Sequence, residues 1–258
     1  MRLMKRILSA AAVLALSASL LVGCSSGTAS SVPVSASSAA ESTVSSVEET
    51  ASSAVDENEA AVAQLLNDLT GSYQELWPVI LADEYKQTWL DDCTALVGED
   101  NAEAAFEKLS SMVTGDVYGE DAVKAYANGG GAYFCGFTNS LAILTFDGET
   151  STISGTDKDG NVLFSHTYHY IGMEPVRGLY EFQSDDADSG EFTYFFLAPD
   201  TSAETYHIEF RYGSDAEALS QYDTGEYAFW LASGISTDCD QTMIDNCIEL
   251  FCTENLAG

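Results

Sequence analysis

The 258-residue chain is strongly acidic, with 41 aspartates and glutamates against 9 lysines and arginines and a formal net charge of −32. A surface of that sign repels the phosphates of nucleic acids and anionic lipid headgroups, so nucleic acid is excluded as a partner. The same charge concentrates cations near the surface, although a diffuse acidic surface also serves solubility alone.

The first 23 residues have the pattern of an export signal. Basic residues among the first six precede an apolar stretch at 7–21 that ends in small residues, as in a secretory signal peptide. Residues 21–24 (LVGC) resemble a lipobox, whose cysteine becomes the lipidated N-terminus. We therefore predict a lipoprotein signal peptide at 1–23, lipidation of Cys24 and anchoring at the extracytoplasmic face of the cell membrane. The alternatives are an ordinary cleaved signal or a retained helix, but the apolar stretch is shorter than the roughly 20 residues of a membrane span.

The segment after the signal differs in composition from the rest of the chain. Residues 24–55 are rich in Ser, Ala and Glu and contain no aromatic residue, so they cannot bury enough apolar surface to offset the entropy of ordering. We predict a disordered tether there. All 28 aromatic residues lie at or after Tyr73, which favours a folded domain at 56–258, a size that suits a single core.

Patterning within 56–258 predicts helices around an antiparallel sheet. Apolar residues recur at helical spacing in 56–69, 102–112 and 240–250. Eight short segments rich in aromatic and β-branched residues are separated by turn signals such as Asp147-Gly148 and Asp159-Gly160. The predicted strands are 132–137, 141–146, 150–154, 162–170, 178–182, 191–197, 205–212 and 227–231. A meander of this length closes into a barrel or a sandwich, so the fold class is mainly β with flanking helices.

The cysteines give a further constraint. Beyond Cys24 there are five of them, an odd number, so at least one thiol stays free or pairs between molecules in a compartment that permits disulfides. The five are Cys93, Cys135, Cys239, Cys247 and Cys252, and their spacing leaves the disulfide pairing open. The spacing does not match a structural zinc site, which favours core or bridge residues over ligands.

The three histidines all fall in predicted strands. Alternation along a strand places Thr205, His207 and Glu209 on one face, which is how two metal ligands can converge. The alternative is a hydrogen-bonded, partly buried histidine beside a solvated acid. His166 and His169 are three positions apart, so one should line the interior of the sheet and the other should meet solvent.

Enzyme signatures have no support in the sequence. Residues 23–27 fit G-x-S-x-G but lie at the cleavage site, without the strand-turn-helix context of a nucleophile elbow. The glycines at 129–131 precede a predicted strand and lack the Lys-Ser/Thr of a phosphate-binding loop. The acidic stretches at 157–160 and 185–188 lack the pattern of an EF-hand and are typical of hairpin tips. We predict that the protein is not an enzyme.

Several blocks in order along the chain resemble the ZinT (YodA) family. The segment at 68–78 (DLTGSYQELWP) is similar to the first block of that family, and its Gly71-x-Tyr73 element resembles the Gly-x-Trp of lipocalins. Further similar blocks are 167–172 (TYHYIG), 176–182, 197–199, 206–208 and 213–219. The resemblance implies a lipocalin-like (calycin-type) antiparallel β-barrel with helical additions, and zinc binding or delivery of zinc to a metal-uptake transporter outside the cytoplasm.

The resemblance also implies a ligand set. The buried zinc site of the family uses one histidine ahead of an Ala-Pro element and a His-x-His pair after it. The first position falls here among residues 194–196 (YFF), and the pair keeps only His207, with Thr205 or Glu209 at the other place. The implied metal ligands are His207 and Glu209, assisted by His169 or by an acid across the barrel. The alternative is a lipocalin-like binding module that has lost the metal and holds a small ligand or a protein partner.

Overall fold

The computed structural model describes residues 64–198 and 207–257. The predictions for the signal peptide, for Cys24 and for the tether at 24–55 lie outside the described residues, as do Thr205 and the beginning of the helix predicted at 56–69. Residues 64–68 are helical. Within the described ranges, no helix combines the length and the apolar character that crossing a membrane requires.

Eight antiparallel strands in the described part of the chain form a closed barrel in which each strand pairs with the next and β1 pairs with β8. The strands are β1 Gly71–Glu75, β2 Ile143–Asp147, β3 Thr152–Thr156, β4 Val162–Met173, β5 Tyr180–Ser184, β6 Tyr194–Leu197, β7 His207–Gly213 and β8 Ala232–Ser236. This arrangement confirms the predicted lipocalin-like antiparallel barrel with flanking helices.

Aromatic side chains fill the interior of the barrel. Period-two alternation turns Phe164 of β4, Phe195 of β6, and Phe210 and Tyr212 of β7 inward, where all four are buried. The Phe195 and Tyr212 rings stack with centroids 5.3 Å apart, and the Phe164 ring lies 6.1 Å from that of Phe195. The interior is therefore a packed core.

Helices flank the barrel in the described part of the chain. They are α1 Leu76–Ile80, α2 Lys86–Val97, α3 Glu99–Val113, α4 Glu120–Ala125, α5 Ala216–Leu219 and α6 Gln241–Leu256. Buried side chains of α1, α2, α3 and α6 form a second core, whereas Leu219 of α5 packs into the barrel core. Trp89 of α2 is completely buried, and its Nε1 donates to the carbonyl oxygen of Ile80 at 2.7 Å, which ties α2 to α1. Ile235 of β8 belongs to this helical core, so the outer face of β8 is where the barrel meets the helices. Asp240 caps α6 by accepting from the backbone N–H of Met243 at 3.0 Å.

Helices predicted at 102–112 and 240–250 are confirmed as α3 and α6. Two predicted strands are wrong: 132–137 and 227–231 are irregular, apart from single bridges that Phe134 makes to Thr114 and Trp230. Their places in the barrel belong to β1 and β8. Both wrong segments are rich in aromatic residues because they are buried: Phe137, Tyr227 and Trp230 belong to the barrel core, and burial gives the same composition as a strand.

Candidate functional site

Strand β7 positions the two principal candidate ligands. Ile208 and Phe210 point into the barrel core, so His207 and Glu209 lie on the outer face of the strand, as the alternation predicts. Both side chains are half-buried. His207 pairs with Ile235 of β8, whose side chain enters the helical core. The two candidate ligands therefore share a face at the boundary between the barrel and the helical layer.

Two thiols lie within the electrostatic reach of Glu209. Glu209 pairs with Ser233, whose backbone N–H donates to the carbonyl oxygen of Cys135 at 3.0 Å. Burial raises the pKa of the Cys135 thiol, and the negative charge of Glu209 raises it further. Burial and then the same charge raise the pKa of the Cys247 thiol, on α6, to about 12. Both thiols are consequently protonated at neutral pH, and two sulfur atoms lie near the outer face of β7, Cys135 in the irregular segment 132–137 and Cys247 on α6.

His169 lies elsewhere. It is on the outer face of β4, with 52% of its side chain exposed, and its Nδ1 is 2.6 Å from Oδ1 of Asp185. Strands β5 and β6 separate β4 from β7, which is about 14 Å along the wall at roughly 4.8 Å per strand. The structure thus does not bring His169 to His207 and Glu209. In residues 64–198 and 207–257, no three His, Cys, Asp or Glu side chains form a group that could hold a metal ion.

His166 occupies the opposite face of β4 from His169, which confirms the expectation drawn from their spacing. Its side chain is only 13% exposed, its ring stacks on Phe164 with centroids 5.9 Å apart, and its Nδ1 is 2.9 Å from Oδ2 of Asp186. The acids at 185 and 186, which the sequence suggested were merely a hairpin tip, are therefore the partners of both histidines. The sequence contains a signal for this pairing, because Asp185 and Asp186 directly follow β5, the antiparallel neighbour of the strand β4 that carries both histidines.

A cavity of about 320 Å³ lies beside β1, outside the packed interior. Its walls are mainly apolar and include Trp77, Leu81 and Phe134. Glu75 contributes a carboxylate, whose Oε1 accepts from the backbone N–H of Phe137 at 2.6 Å. Cys135 also lines this space, so the cavity adjoins the neighbourhood of Glu209.

Neither a family model nor a curated protein matches the chain. Two solved structures are similar to the chain. The first is the Zn(II)-bound ZinT-like domain of AdcA from Streptococcus pneumoniae, with 17% identity, a TM-score of 0.44, and coverage of 71% of this chain and 89% of that one. Zn(II)-bound AdcA from the same organism gives 17% identity and a TM-score of 0.41, over 72% of this chain and 35% of that one. The ZinT family is also the one that the sequence blocks resemble.

A buried cationic cluster lies farther along the outer face of β7. Arg211 is completely buried, and its guanidinium carbon lies 4.3 Å from the centre of the Tyr222 ring. Arg177 stacks on the same ring at 4.2 Å and donates from a terminal guanidinium nitrogen to the Tyr133 hydroxyl at 2.7 Å. Glu174, also buried, accepts from the backbone N–H groups of the turn that carries Arg177. The side chains of this cluster make hydrogen bonds and ring contacts with one another and with backbone groups, so we interpret the cluster as structural.

Proposed function

We propose that this protein binds zinc or another divalent metal through His207 and Glu209. The observation that carries the proposal is the placement of an imidazole and a carboxylate two positions apart on one strand face, both half-buried where the barrel meets the helices. Imidazole nitrogen and carboxylate oxygen are both ordinary zinc ligands. The sequence resemblance to the ZinT family supports zinc as the first metal to test.

These ligands are compatible with a site of moderate metal affinity. Two side chains from β7 supply two ligands, and water supplies the rest. The thiols of Cys135 and Cys247 are sulfur donors nearby, but a thiol must lose its proton to bind zinc. Their raised pKa values oppose that loss, so we expect His207 and Glu209 to carry the binding. The affinity should fall at mildly acid pH, where His207 becomes protonated.

We further propose that the domain works on the extracytoplasmic face of the cell membrane, held by lipid on Cys24 and a serine-rich tether, and that it passes its metal to an uptake transporter. The charge of the chain supports this role, since six basic residues remain against 41 acidic ones once the signal peptide is removed. Such a field raises the local concentration of cations. Labelling Cys24 with a radioactive fatty acid in cells would test the anchor, and a Cys24→Ala chain that stays in the membrane fraction and incorporates as much label would contradict it.

Calorimetric titration of the purified chain with zinc tests the metal site. We expect a Kd tighter than about 10 μM, weakened at least about tenfold in His207→Ala and in Glu209→Gln. His169→Ala is the matched control, because this histidine also faces outward from a strand and has a carboxylate neighbour, yet lies away from β7. Binding weaker than 10 μM, or binding unchanged by either β7 substitution, would overturn the proposal. A loss in His169→Ala would mean that a different set of residues holds the metal.

A second candidate function rests on the cavity beside β1. Its volume of about 320 Å³ lies at the low end of small-molecule sites, and its apolar walls with one carboxylate suit a small, mainly apolar ligand. The probe N-phenyl-1-naphthylamine should bind there and gain fluorescence, and Val113→Trp, which fills the space, should remove the gain. Equal fluorescence in both proteins would eliminate this function. Zinc binding unaffected by Val113→Trp would show that the two sites are independent.

A further inference from the structure

Two buried cysteines meet where α2 packs against α6. Cys93 of α2 and Cys252 of α6 are both completely buried, and their Sγ atoms lie 3.9 Å apart, in hydrogen-bond contact. They are 159 positions apart in the sequence. The other three described cysteines, Cys135, Cys239 and Cys247, make no such contact with a second sulfur in the part of the chain that the structure describes. The fold therefore selects one pair from an odd set whose pairing the sequence left open.

We propose that Cys93 and Cys252 form a disulfide that links α2 to α6 when the chain meets a disulfide oxidant. A disulfide needs its sulfurs about 2.05 Å apart. The two sulfurs must therefore approach by about 1.9 Å, a movement that rotation about the Cα–Cβ bonds of one or both residues supplies. The helices already hold the two side chains against each other within one apolar cluster.

The oxidant belongs to the class of small-molecule or protein disulfides. The thiolate of one cysteine attacks a sulfur of the oxidant, forms a mixed disulfide and releases the first thiol of the oxidant. The thiolate of the second cysteine then attacks the protein sulfur of that mixed disulfide, closes the Cys93–Cys252 bond and releases the second thiol. Two protein thiols and one disulfide become one protein disulfide and two thiols, with two electrons and two protons passed to the oxidant.

Burial determines when the bond forms. It raises the pKa of both thiols above the ordinary cysteine value, and Cys93 and Cys252 are inaccessible once α2 and α6 have packed. Attack by a thiolate on an external oxidant is therefore slow in the folded protein. We expect the cross-link to form during folding, and we expect the finished bond to resist reduction because reductants are excluded from the same space. The inference is independent of metal binding, since neither cysteine lies on β7.

Oxidative refolding of the full chain tests the cross-link. The chain is unfolded in denaturant, refolded with reduced and oxidised glutathione, and unfolded again with a maleimide that labels the remaining thiols. A Glu-specific protease separates Cys252 from Cys247, because Glu249 and Glu254 flank Cys252. We expect a peptide joining Cys93 to Cys252, with the other cysteines labelled. Maleimide on both Cys93 and Cys252, or linkage of another pair, would overturn the proposal.

Thermal stability gives the second readout. Closing a loop of this length should raise the Tm of the oxidised chain over that of the chain refolded in dithiothreitol by on the order of 10 °C. Cys93→Ala and Cys252→Ala should each remove that difference, whereas the buried Cys247→Ala is the matched control and should keep it. If the two substitutions prevent folding, the peptide analysis of the unsubstituted chain decides alone. A redox difference that persists in Cys93→Ala would contradict the assignment.

Discussion

Arg211 should be one of the most sensitive positions in the protein. Its guanidinium donates to the carbonyl oxygens of Leu219, Gln221 and Tyr227, and none of the described carboxylates forms an ion pair with it. Three carbonyls and the Tyr222 ring therefore take the place of a counter-ion. Charge-assisted hydrogen bonds contribute about 1.5–3 kcal/mol each, and water can replace some of those that are lost. We expect Arg211→Met to lower the free energy of unfolding by about 4 kcal/mol.

Denaturant unfolding followed by tryptophan fluorescence measures this loss. Arg211→Lys keeps the charge but not the planar fork, and should cost about 2 kcal/mol. Lys124→Met is the control, because Lys124 is an exposed cation whose ion pairs to Glu120 and Asp121 are screened by solvent, so the free energy of unfolding should stay close to that of the unsubstituted chain. Buried ion pairs can sometimes be replaced by apolar residues without loss. If Arg211→Met is as stable as the unsubstituted chain, the loop carbonyls do not depend on the guanidinium and the reasoning is refuted.

Two further substitutions test the electrostatics and the backbone. Burial raises the pKa of the Asp92 carboxyl, and the charge of Glu249 on α6 raises it further; a carboxyl whose pKa is higher in the folded than in the unfolded state destabilises the fold once ionised. Asp92→Asn should therefore raise the Tm by about 2 °C at pH 7. The gain should vanish below about pH 4, where the carboxyl is protonated in both the folded and the unfolded state. Equal gains at pH 7 and pH 3, measured by circular dichroism, would contradict this prediction. Gly119 has φ +68° and an added Cβ would lie 2.4 Å from the carbonyl oxygen of Glu226, so Gly119→Ala should cost about 3 kcal/mol. Gly98→Ala, at φ +84° with open space around it, should cost only about 1 kcal/mol in the same denaturant titration, and similar losses at both positions would show that the clash is relieved.

The sequence was informative where periodicity is local. The alternation in β7 correctly placed His207 and Glu209 on one face, and the spacing of His166 and His169 correctly placed them on opposite faces. Both conclusions require only that a strand has period two. They do not depend on knowing the neighbouring strands.

Pairing partners were harder to predict. Strand β8 reads Ala-Ser-Gly-Ile-Ser, and its small residues give little strand signal. A small residue is needed at Gly234 because it packs against Ile208, and an added Cβ would lie only 3.1 Å from that side chain. Likewise, nothing local relates His169 to β7. The separation of the two follows from the strand order around the barrel, which only the folded chain fixes.

The aromatic interior of the barrel limits where a ligand site of this protein can change. In a barrel with an open lumen, new ligands can be accommodated by exchanging inward-facing side chains. Here rings such as those of Phe195 and Tyr212 occupy that space, and each exchange would open a void in the main core and cost several kcal/mol. Substitutions that alter the proposed metal binding are therefore expected outside the wall, on β7 and on the helices that cover it, where they leave the core intact.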